Sequence, residues 1–377
     1  MLKYFAHMGA AHAAFYFEGS GEMNARCEAL LRLLPDGAQA ALISSAPNIR
    51  YLSGYTGEGI AVVAGGRAAI VTDFRYTEQA QRQAPSFEVY EIASGEAHET
   101  VAFRLLSEKA VRCLAVEEDV LTVEQYKKLQ DVMPEMNLVS LAGTTQRLRR
   151  IKDSGEIEAL SRANKLTSDC FEHMCSFIRE GMTEREIALE MDFWMLRNGS
   201  EGVSFDTIVA SGPNGSLCHA IPSDRKVCRG DFITMDFGAV TGGYHADMTR
   251  TVAVGSVSPE LRRMYDTVLR AQLASLEAIR PGVRCSDVDA VARAIIDEAG
   301  YAGRFGHGLG HSTGLEIHEE PRFSRLCGDI VEPGMVITVE PGIYVPGVGG
   351  VRIEDSVAVT ESGVRILTPA TKELVTL

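Results

Sequence analysis

Two short β-like runs in the second half of the chain hold acidic residues where strands rarely hold them. Asp236 lies within FITMDFGAV, and Asp247 lies within YHADMTRTVAV. A carboxylate in such an apolar run is costly unless it has a partner. If the runs form a hairpin that turns between Thr241 and Gly242, Asp236 faces Asp247 across it, with about 4.5–5.5 Å between the Cβ atoms. Two carboxylates that close need a cation or a shared proton between them.

The pattern recurs further along the chain with glutamates. Glu340 ends the run VITVE, Glu354 lies within VRIED, and a reversal near Gly347 would bring them level. A single acidic residue in a strand is more often an edge or ion-paired residue, but four at matched places outweigh that interpretation. If the two hairpins face each other, their oxygens suit Mn²⁺, Mg²⁺ or Fe²⁺, and a histidine ligand widens the choice to Co²⁺ and Zn²⁺.

The histidine is expected from the glycine-rich stretch GHGLGHSTGLEIHE. It contains His307, His311 and His318, and its glycines would let the backbone approach a ligand closely. A phosphate-binding loop is the alternative. The stretch has no G-K-[ST] ending and no helical pattern directly after it, so we favour the metal site.

Several motifs resemble those of the pita-bread metallopeptidase family, which includes methionine aminopeptidase, prolidase and Xaa-Pro aminopeptidase. The resemblance runs from about residue 145 to the end of the chain. In order, the motifs are ASG..NG...H at 210–219, MDFG...GGYHADMTRT at 235–251, GHGLGH......H at 306–318, VEPG at 339–342 and VRIED at 351–355.

The N-terminal part narrows the resemblance to one branch of this family. NIRYLSGYTG at 48–57, the hairpin that follows it and TDFRY are similar to the extra domain of the prolidase and Xaa-Pro aminopeptidase branch. Creatinase shares that domain but is a metal-free relative without the ligand set seen here.

The resemblance implies a centre for two divalent metal ions. Asp236 would bind one ion, His311 and Glu340 the other, and Asp247 and Glu354 would bridge both. Mn²⁺ is the first expectation, with Co²⁺, Zn²⁺ and Fe²⁺ as alternatives. Two such ions activate a water and polarise the scissile carbonyl.

The resemblance also implies roles around the metals. Glu340 would accept a proton, and His219 and His318 would line the substrate site, where a donor stabilises the tetrahedral intermediate. His307 would shape the pocket. Arg352 would either contact the substrate or hold a carboxylate ligand by a bidentate hydrogen bond.

Two further histidines need comment. Many relatives have proline directly before the first pocket histidine, whereas this chain has Cys218 before His219, a departure that would alter how that histidine is presented. His245 alternates with Asp247 on one face of the strand, and a structural role is favoured for it.

The function implied is an Xaa-Pro aminopeptidase, which releases the first residue of a peptide with proline in second position. A prolidase, which cleaves Xaa-Pro dipeptides, is the alternative. A creatinase-like hydrolase and a noncatalytic peptide-binding module are more remote, because all five ligand positions are intact. The partners implied are short proline-containing peptides and a second copy of the chain in a homodimer, in which the N-terminal domain of one subunit is expected to border the other's active site.

The elements that must position these residues fall into two domains. From residue 38 onward, β runs alternate with helical patterns, and Gly65-Gly66 indicates a hairpin, so residues 1–145 are expected to form a smaller α/β domain. Residues 146–377 read twice as helix, helix and a β pair. We therefore predict an α+β, pita-bread catalytic domain with pseudo-twofold duplicated halves.

The helices of the second domain have recognisable boundaries. Thr183 with Glu186 forms a possible capping box, and Ser258-Pro259 places an N-cap before a proline. Gly282 and Gly300 are expected to end the two later helices.

Composition excludes several classes of protein. The 377 residues carry a net charge of −14, which opposes binding to nucleic acid or to an anionic membrane. The one basic cluster, at 147–152, is expected to be solvated. Eight cysteines without C-x-x-C spacing, no apolar run of membrane-spanning length and no signal-peptide layout predict a cytoplasmic protein. The first 22 residues are loosely patterned, and Met23 is a possible alternative start.

Overall fold

The computed structural model describes residues 15–17 and 23–377. The chain divides into two compact units, of which the first ends at Arg149 and the second begins at Arg150. The expected loose pattern of the first 22 residues falls, apart from 15–17, on residues outside the described part of the chain, and the possible start at Met23 stays a prediction. The predicted domain boundary, after residue 145, lies just before the division between the units.

The first unit is built on a mixed seven-stranded sheet of order β1-β5-β4-β3-β2-β6-β7. Its strands are β1 (Phe15–Phe17), β2 (Ala40–Ile43), β3 (Ile60–Ala64), β4 (Arg67–Thr72), β5 (Glu88–Glu91), β6 (Cys113–Val116) and β7 (Asn137–Ser140). Its helices are α1 (Ala25–Arg32), α2 (Ala46–Ser53), α3 (Thr77–Gln83), α4 (His98–Glu108), α5 (Val123–Val132) and α6 (Thr144–Arg149). The predicted hairpin at Gly65-Gly66 is confirmed, since β3 and β4 pair antiparallel across it.

The second unit repeats one arrangement of elements. Its first half contains α7 (Ser154–Phe177), α8 (Glu184–Arg197), β8 (Ile208–Ser211), β9 (Phe232–Phe237), β10 (Val240–Thr241), β11 (Tyr244–His245) and β12 (Met248–Ala253). Its second half contains α9 (Pro259–Ala278), α10 (Cys285–Ile296), β13 (Gly310–Ser312), β14 (Glu319–Phe323), β15 (Val336–Val339), β16 (Gly342–Val345), β17 (Gly349–Arg352), β18 (Asp355–Val359) and β19 (Val364–Ile366). The predicted pita-bread fold with an additional N-terminal domain is confirmed.

Each half packs its helix pair on its own sheet. Methionines and other apolar residues of α7 and α8 cover the sheet β12-β9-β8, and those of α9 and α10 cover the sheet β14-β13-β15-β18-β19. The capping box of Thr183 and Glu186 and the N-cap at Ser258 are confirmed by side-chain to backbone hydrogen bonds. The helix α9 ends before Gly282, and Gly300 has a left-handed φ of 90° in the π turn after α10.

The two halves meet along β12 and the segment around Glu354. The backbone N–H of Glu354 donates to the carbonyl of Thr249 at 3.1 Å, and the Thr251 hydroxyl donates to the carbonyl of Arg352 at 3.0 Å. Each half therefore fixes the position of the other half's acidic strand.

The register of the first hairpin differs from the predicted one. In the β9–β12 pair Asp236 lies opposite Thr249, and β10 and β11 extend the hairpin to a turn at Gly242-Gly243. Both turn glycines have positive φ, of 60° and 75°, as a two-residue type I′ turn requires. The prediction that Asp236 faces Asp247 is wrong, because the turn lies one residue further along the chain than expected.

The register of the second hairpin agrees with the predicted one. Gly342 pairs with Arg352 in β16–β17, and the β15–β18 ladder continues the same register, so Glu340 lies level with Glu354. The reversal is centred near Gly347, whose φ is 79°.

The basic cluster at residues 147–152 is not a solvated segment, and that prediction is wrong in two places. Arg149 is buried and donates to the Asn48 side chain at 2.7 Å. Lys152 is also buried, and its ammonium group donates to Ser312 at 3.0 Å and to Glu319 at 3.1 Å. Each buried cation has polar partners in its own unit, which removes most of the cost of desolvation.

A buried arginine holds the C-terminal segment against β12. The guanidinium of Arg250 is bonded to the Asp355 carboxylate at 2.8 Å and to the carbonyls of Ala370 and Thr371 at 2.8 Å. Asp355 directly follows Glu354, so this network supports the strand next to the acidic cluster. In the part of the chain that the structure describes, no helix has the length and apolar character needed to cross a membrane.

Candidate metal centre

The five predicted ligands converge between the two halves of the second unit. Asp236 lies near the end of β9, Asp247 directly precedes β12, and His311 lies in β13. Glu340 follows β15, and Glu354 lies between β17 and β18. The acidic residues of both hairpins and the histidine of the glycine-rich stretch therefore share one location, as the sequence predicts.

The distances are those of a cluster that a cation would complete. One carboxylate oxygen from each of Asp236, Asp247 and Glu354 lies within 4.8 Å of the other two. The Nε2 atom of His311 lies 3.3 Å from an Asp247 oxygen and 3.6 Å from a Glu340 oxygen. Oxygen and imidazole ligands at such separations suit the divalent ions of the first transition row.

Two buried oxygens in this cluster have no hydrogen-bond partner among the described residues. Asp236 uses Oδ2 to accept from Arg352 and leaves Oδ1 unpartnered, whereas Glu354 uses Oε2 to accept from Thr249 at 2.7 Å and leaves Oε1 unpartnered. Buried acceptors without donors are rare and costly. A pair of metal ions would satisfy both oxygens, so the residues present fit the group.

The electrostatics of the carboxylates lead to the same conclusion. Burial raises the pKa of Asp247 well above its usual value, and the charges of Asp236 and Glu340 raise it further. Burial, followed by the charge of Asp247, also raises the pKa of Glu354. A bound cation would reverse this penalty by attracting the charged form of each carboxylate.

Arg352 supplies positive charge at the edge of the cluster. It donates from Nη2 to Asp236 at 2.6 Å, from Nε to the Thr249 hydroxyl at 2.9 Å and from Nη1 to the Cys218 carbonyl at 3.2 Å. Of the two predicted roles for Arg352, contact with a carboxylate is present in the structure, through one nitrogen rather than two. Contact with substrate stays a prediction.

A directed chain of hydrogen bonds leads from Arg352 away from the carboxylates. Nη1 of Arg352 donates to the Tyr344 hydroxyl at 2.9 Å, which lies 2.8 Å from Nε2 of His307. Nδ1 of His307 lies 2.7 Å from the Gly308 carbonyl, so Nδ1 must carry the proton and Nε2 must accept from Tyr344. Burial and the charge of Arg352 lower the pKa of His307 to about 3, which keeps the ring neutral at physiological pH.

The predicted substrate histidines line a cavity of about 910 Å³ next to the cluster. The ring of His318 packs edge-on against that of His311 with 4.5 Å between centroids. His318 remains partly open to solvent, and its partial desolvation together with the His311 charge lowers its pKa to about 4. His219 is exposed on the opposite loop, and His307 lies at the same cavity. His245 contacts Ser204 at 3.0 Å, which agrees with its favoured structural role.

Two residues of the centre were missed by sequence reasoning. Tyr344 joins Arg352 to His307, and Thr249 joins Arg352 to Glu354. The spacing of Thr249, two residues after Asp247 in a strand, places both on one face and offered a signal. Tyr344 lies in an apolar β run, where tyrosine is common, so its sequence context offers no signal of a role in the centre.

Comparison with known proteins places both units in described families. The model of metallopeptidase family M24 matches residues 158–361, and that of the creatinase/prolidase N-terminal domain matches residues 26–151. A relative named Xaa-Pro dipeptidase from Pyrococcus furiosus is 37% identical over 364 residues, which cover 93% of this chain and 100% of that one.

Solved structures of similar proteins extend over the same length. An Xaa-Pro dipeptidase from Bacillus anthracis superposes with a TM-score of 0.90 at 39% identity, covering 93% of this chain and 99% of the other. An X-Pro aminopeptidase from Thermotoga maritima superposes with a TM-score of 0.87 at 36% identity, covering 92% and 99%. These matches confirm the predicted family resemblance.

The position of Thr249 predicts that its hydroxyl tunes metal binding. Thr249→Val keeps the shape of the side chain but removes the donor to Glu354 and the acceptor for Arg352. Loss of such a supporting partner lowers metal affinity by about 10- to 100-fold. Titration calorimetry of the metal-free protein with Mn²⁺ measures the change.

Thr267→Val is the control, because that buried hydroxyl donates to a helix carbonyl in α9. Thr267→Val is expected to change Mn²⁺ affinity by less than about twofold, because its side chain shares no partner with the metal cluster. Equal affinities for Thr249→Val and the unchanged protein would contradict the role given to Thr249.

Proposed function

We propose that this chain, which belongs to metallopeptidase family M24 and is a hydrolase of peptide bonds, releases the first residue of short peptides whose second residue is proline. The observation that carries the proposal is the cluster of five predicted ligands beside a cavity that is also lined by His219, His307 and His318. The preference for proline is taken from the printed names of its relatives.

The proposed metal centre gives the five residues the roles that the family resemblance implies, and their proximity supports it. Asp236 would hold one divalent ion, His311 and Glu340 the other, and Asp247 and Glu354 would bridge them. Mn²⁺ is the proposed ion, and Co²⁺, Zn²⁺ and Fe²⁺ remain compatible with this ligand set. When bound, such a pair of ions lowers the pKa of a water and draws electron density from the scissile carbonyl.

The side chains of the protein would supply the remaining chemistry. Glu340 is half-buried beside the cavity, accepts from the Thr338 hydroxyl at 3.3 Å, and is the proposed proton acceptor. The neutral ring of His318 and the exposed ring of His219 would donate to the carbonyl oxygen as it gains charge. Arg352 would keep Asp236 oriented through its hydrogen bond, and His307 would shape the pocket wall.

Arg322 favours a dipeptide as the substrate. It lies directly opposite His311 in the β13–β14 pair, so its side chain leaves the sheet on the face that carries the proposed ligand. Among the described residues that line the cavity, Arg352 and Arg322 carry guanidinium groups. Arg352 is buried against Asp236, whereas the side chain of Arg322 is 51% exposed and contacts Glu320.

An exposed guanidinium close to the reaction centre is suited to the free carboxylate of a short substrate. We therefore place Xaa-Pro dipeptidase activity first and Xaa-Pro aminopeptidase activity second, which reverses the order expected from the sequence. The second activity is kept because the Thermotoga maritima protein, an X-Pro aminopeptidase by name, matches almost as closely as the dipeptidase from Bacillus anthracis.

A homodimer is also proposed, with the outer face of α8 as its contact. Leu189, Phe193 and Leu196 recur at helical spacing on that face and are 49%, 52% and 45% exposed. The opposite face of α8 is buried in its own half.

A cytoplasmic location, supported by eight free cysteines, is a further proposal that cell fractionation would test.

The first experiment compares Xaa-Pro dipeptides with Xaa-Pro-Yaa tripeptides after metal removal and after restoring Mn²⁺. Activity is expected only with metal, and kcat/KM is expected to be higher for dipeptides. Higher turnover of tripeptides would make the protein an aminopeptidase. Equal turnover of Xaa-Ala and Xaa-Pro peptides would contradict the proline preference.

Arg322→Ala tests how the carboxylate is recognised. Loss of a charged hydrogen bond is expected to lower kcat/KM for Xaa-Pro dipeptides by about 10- to 100-fold. For Xaa-Pro amides, which lack the carboxylate, kcat/KM of Arg322→Ala is expected to stay within about twofold of the unchanged protein, because no charged hydrogen bond is lost. Arg325→Ala, on the exposed segment that follows, is the control. An equal loss for amides and acids would rule out carboxylate recognition by Arg322.

Phe193→Glu tests the proposed dimer contact. A charge placed in an apolar contact is expected to shift the protein from dimer to monomer, because burying it would be costly. Light scattering after size-exclusion chromatography measures the mass. Arg162→Glu, on the exposed side of α7, is the control. A dimer that persists in Phe193→Glu would exclude this face as the contact.

A further inference from the structure

A single buried carboxylate lies beneath the loop that carries His219. Glu184 is the first residue of α8, and its side chain is completely buried. The loop, here called the His219 loop, comprises residues 212–222 between β8 and Ser223. Neither the metal cluster nor the proposed reaction uses Glu184, so its burial needs another explanation.

The hydrogen bonds of Glu184 join the two ends of the His219 loop. Its Oε1 accepts from the backbone N–H of Ser211 at 2.7 Å and from the Ser211 hydroxyl at 2.8 Å. Its Oε2 accepts from the backbone N–H of Ser223 at 3.0 Å and from the Ser223 hydroxyl at 2.6 Å. The amide of Asn214 donates to both oxygens at 3.1 Å.

The middle of the loop has separate contacts and leads into the cavity. Gly215 packs so closely on Gly350 that a Cβ added there would lie 2.9 Å from the Gly350 nitrogen. Arg352 donates to the Cys218 carbonyl at 3.2 Å. The next residues, from His219 onward, line the cavity. Hydrogen bonds to Glu184 therefore hold the ends of the loop, and contacts with Gly350 and Arg352 hold its middle. His219 follows these contacts in the sequence.

Capping of α8 does not explain the burial of Glu184. The N-cap of that helix is Thr183, whose hydroxyl accepts from the backbone of Glu186 at 3.1 Å while the Glu186 carboxylate accepts from the Thr183 N–H at 2.8 Å. This capping box is complete without the Glu184 side chain. Glu184 instead directs both of its oxygens away from the helix start, to Ser211 and Ser223.

We propose that Glu184 is a positioning residue that holds the His219 loop closed and thereby fixes His219 at the substrate cavity. The inference rests on the proposed function, since it takes His219 as a group that contacts substrate.

Glu184→Gln removes the function of the carboxylate with little change in shape. All the groups around it are donors, and an amide offers one oxygen and one NH₂ group. The NH₂ group would face the N–H and hydroxyl of one loop end, so that end is released. Burial by itself would raise the pKa of Glu184, but the hydrogen bonds to its charged form outweigh burial and lower the pKa, so a neutral side chain at this place loses those interactions.

The first measurement is hydrogen–deuterium exchange of the Mn²⁺-loaded protein. Peptides from 212–222 are expected to exchange faster in Glu184→Gln than in the unchanged protein. Peptides from the strands that carry the five proposed metal ligands are expected to keep their exchange rates. Glu186→Gln is the matched control, because it lies on the same helix turn and keeps the capping box. Unchanged exchange in 212–222 would overturn the proposal, whatever substrate the enzyme takes.

The second measurement is a double-mutant cycle with His219→Ala. Glu184→Gln alone is expected to lower kcat/KM by about 10- to 100-fold, the effect of a misplaced catalytic group, with Mn²⁺ affinity changed by less than about twofold. In the His219→Ala background the same substitution is expected to cost less than about twofold. An equal loss in both backgrounds would show that Glu184 does not act through His219 and would overturn the proposal.

Ser223→Ala provides a milder variant if Glu184→Gln does not fold. It removes the hydroxyl from one end of the loop and keeps the backbone N–H bond. A smaller loss of kcat/KM that disappears in the His219→Ala background would support the proposal, and a loss that persists there would oppose it. Absence of all Xaa-Pro hydrolysis in the unchanged protein would refute the proposed function, and the exchange measurement would still decide the role of Glu184.

Discussion

Crowding of negative charge is the constraint around which the second unit is built. Four carboxylates and one imidazole lie within a few ångströms in a buried place, although like charges at that distance raise one another's pKa values. A fold that brings such groups together is stable when cations neutralise them. The duplicated hairpins, the Arg352 network and the close approach of the glycines are consequences of holding this cluster in one geometry.

Side chains next to the cluster orient two of its carboxylates. Arg352 compensates the charge of Asp236, and Thr249 donates to one oxygen of Glu354, so that among the described residues the other oxygen of each carboxylate has no hydrogen-bond partner and is available to a metal ion. Two histidines of the cavity wall are neutral. Because desolvation lowers the pKa of His307 and of the partly covered His318, these two rings add no positive charge beside the carboxylates.

Much of the site could be predicted from the sequence, because metal ligands in strands break the apolar pattern that strands otherwise follow. The second hairpin was placed correctly, since the glycines near Gly347 leave one reversal point. The first was not, because Thr241, Gly242 and Gly243 allow turns centred one residue apart, and pattern alone does not distinguish them. Asp236 therefore faces Thr249 instead of the other aspartate.

Buried polar contacts between segments that are distant in sequence could not be predicted from the hydrophobic pattern of the sequence. Lys152 resembles a surface lysine in sequence, and its partner Glu319 is far along the chain. Tyr344 and Glu184 have the same property, since each takes its meaning from groups that only the tertiary structure brings near. Periodicity reports which face of an element is apolar, and it carries no information on which polar groups meet across the fold.

The central claim is that the five residues hold two divalent ions in one shared site. The most direct test is anomalous diffraction from crystals of the Mn²⁺-loaded protein, with data collected at the manganese absorption edge. The account predicts two anomalous peaks about 3.5–4 Å apart, both in contact with Asp247 and Glu354. Peaks located elsewhere, or a cluster without any peak at saturating Mn²⁺, would contradict it.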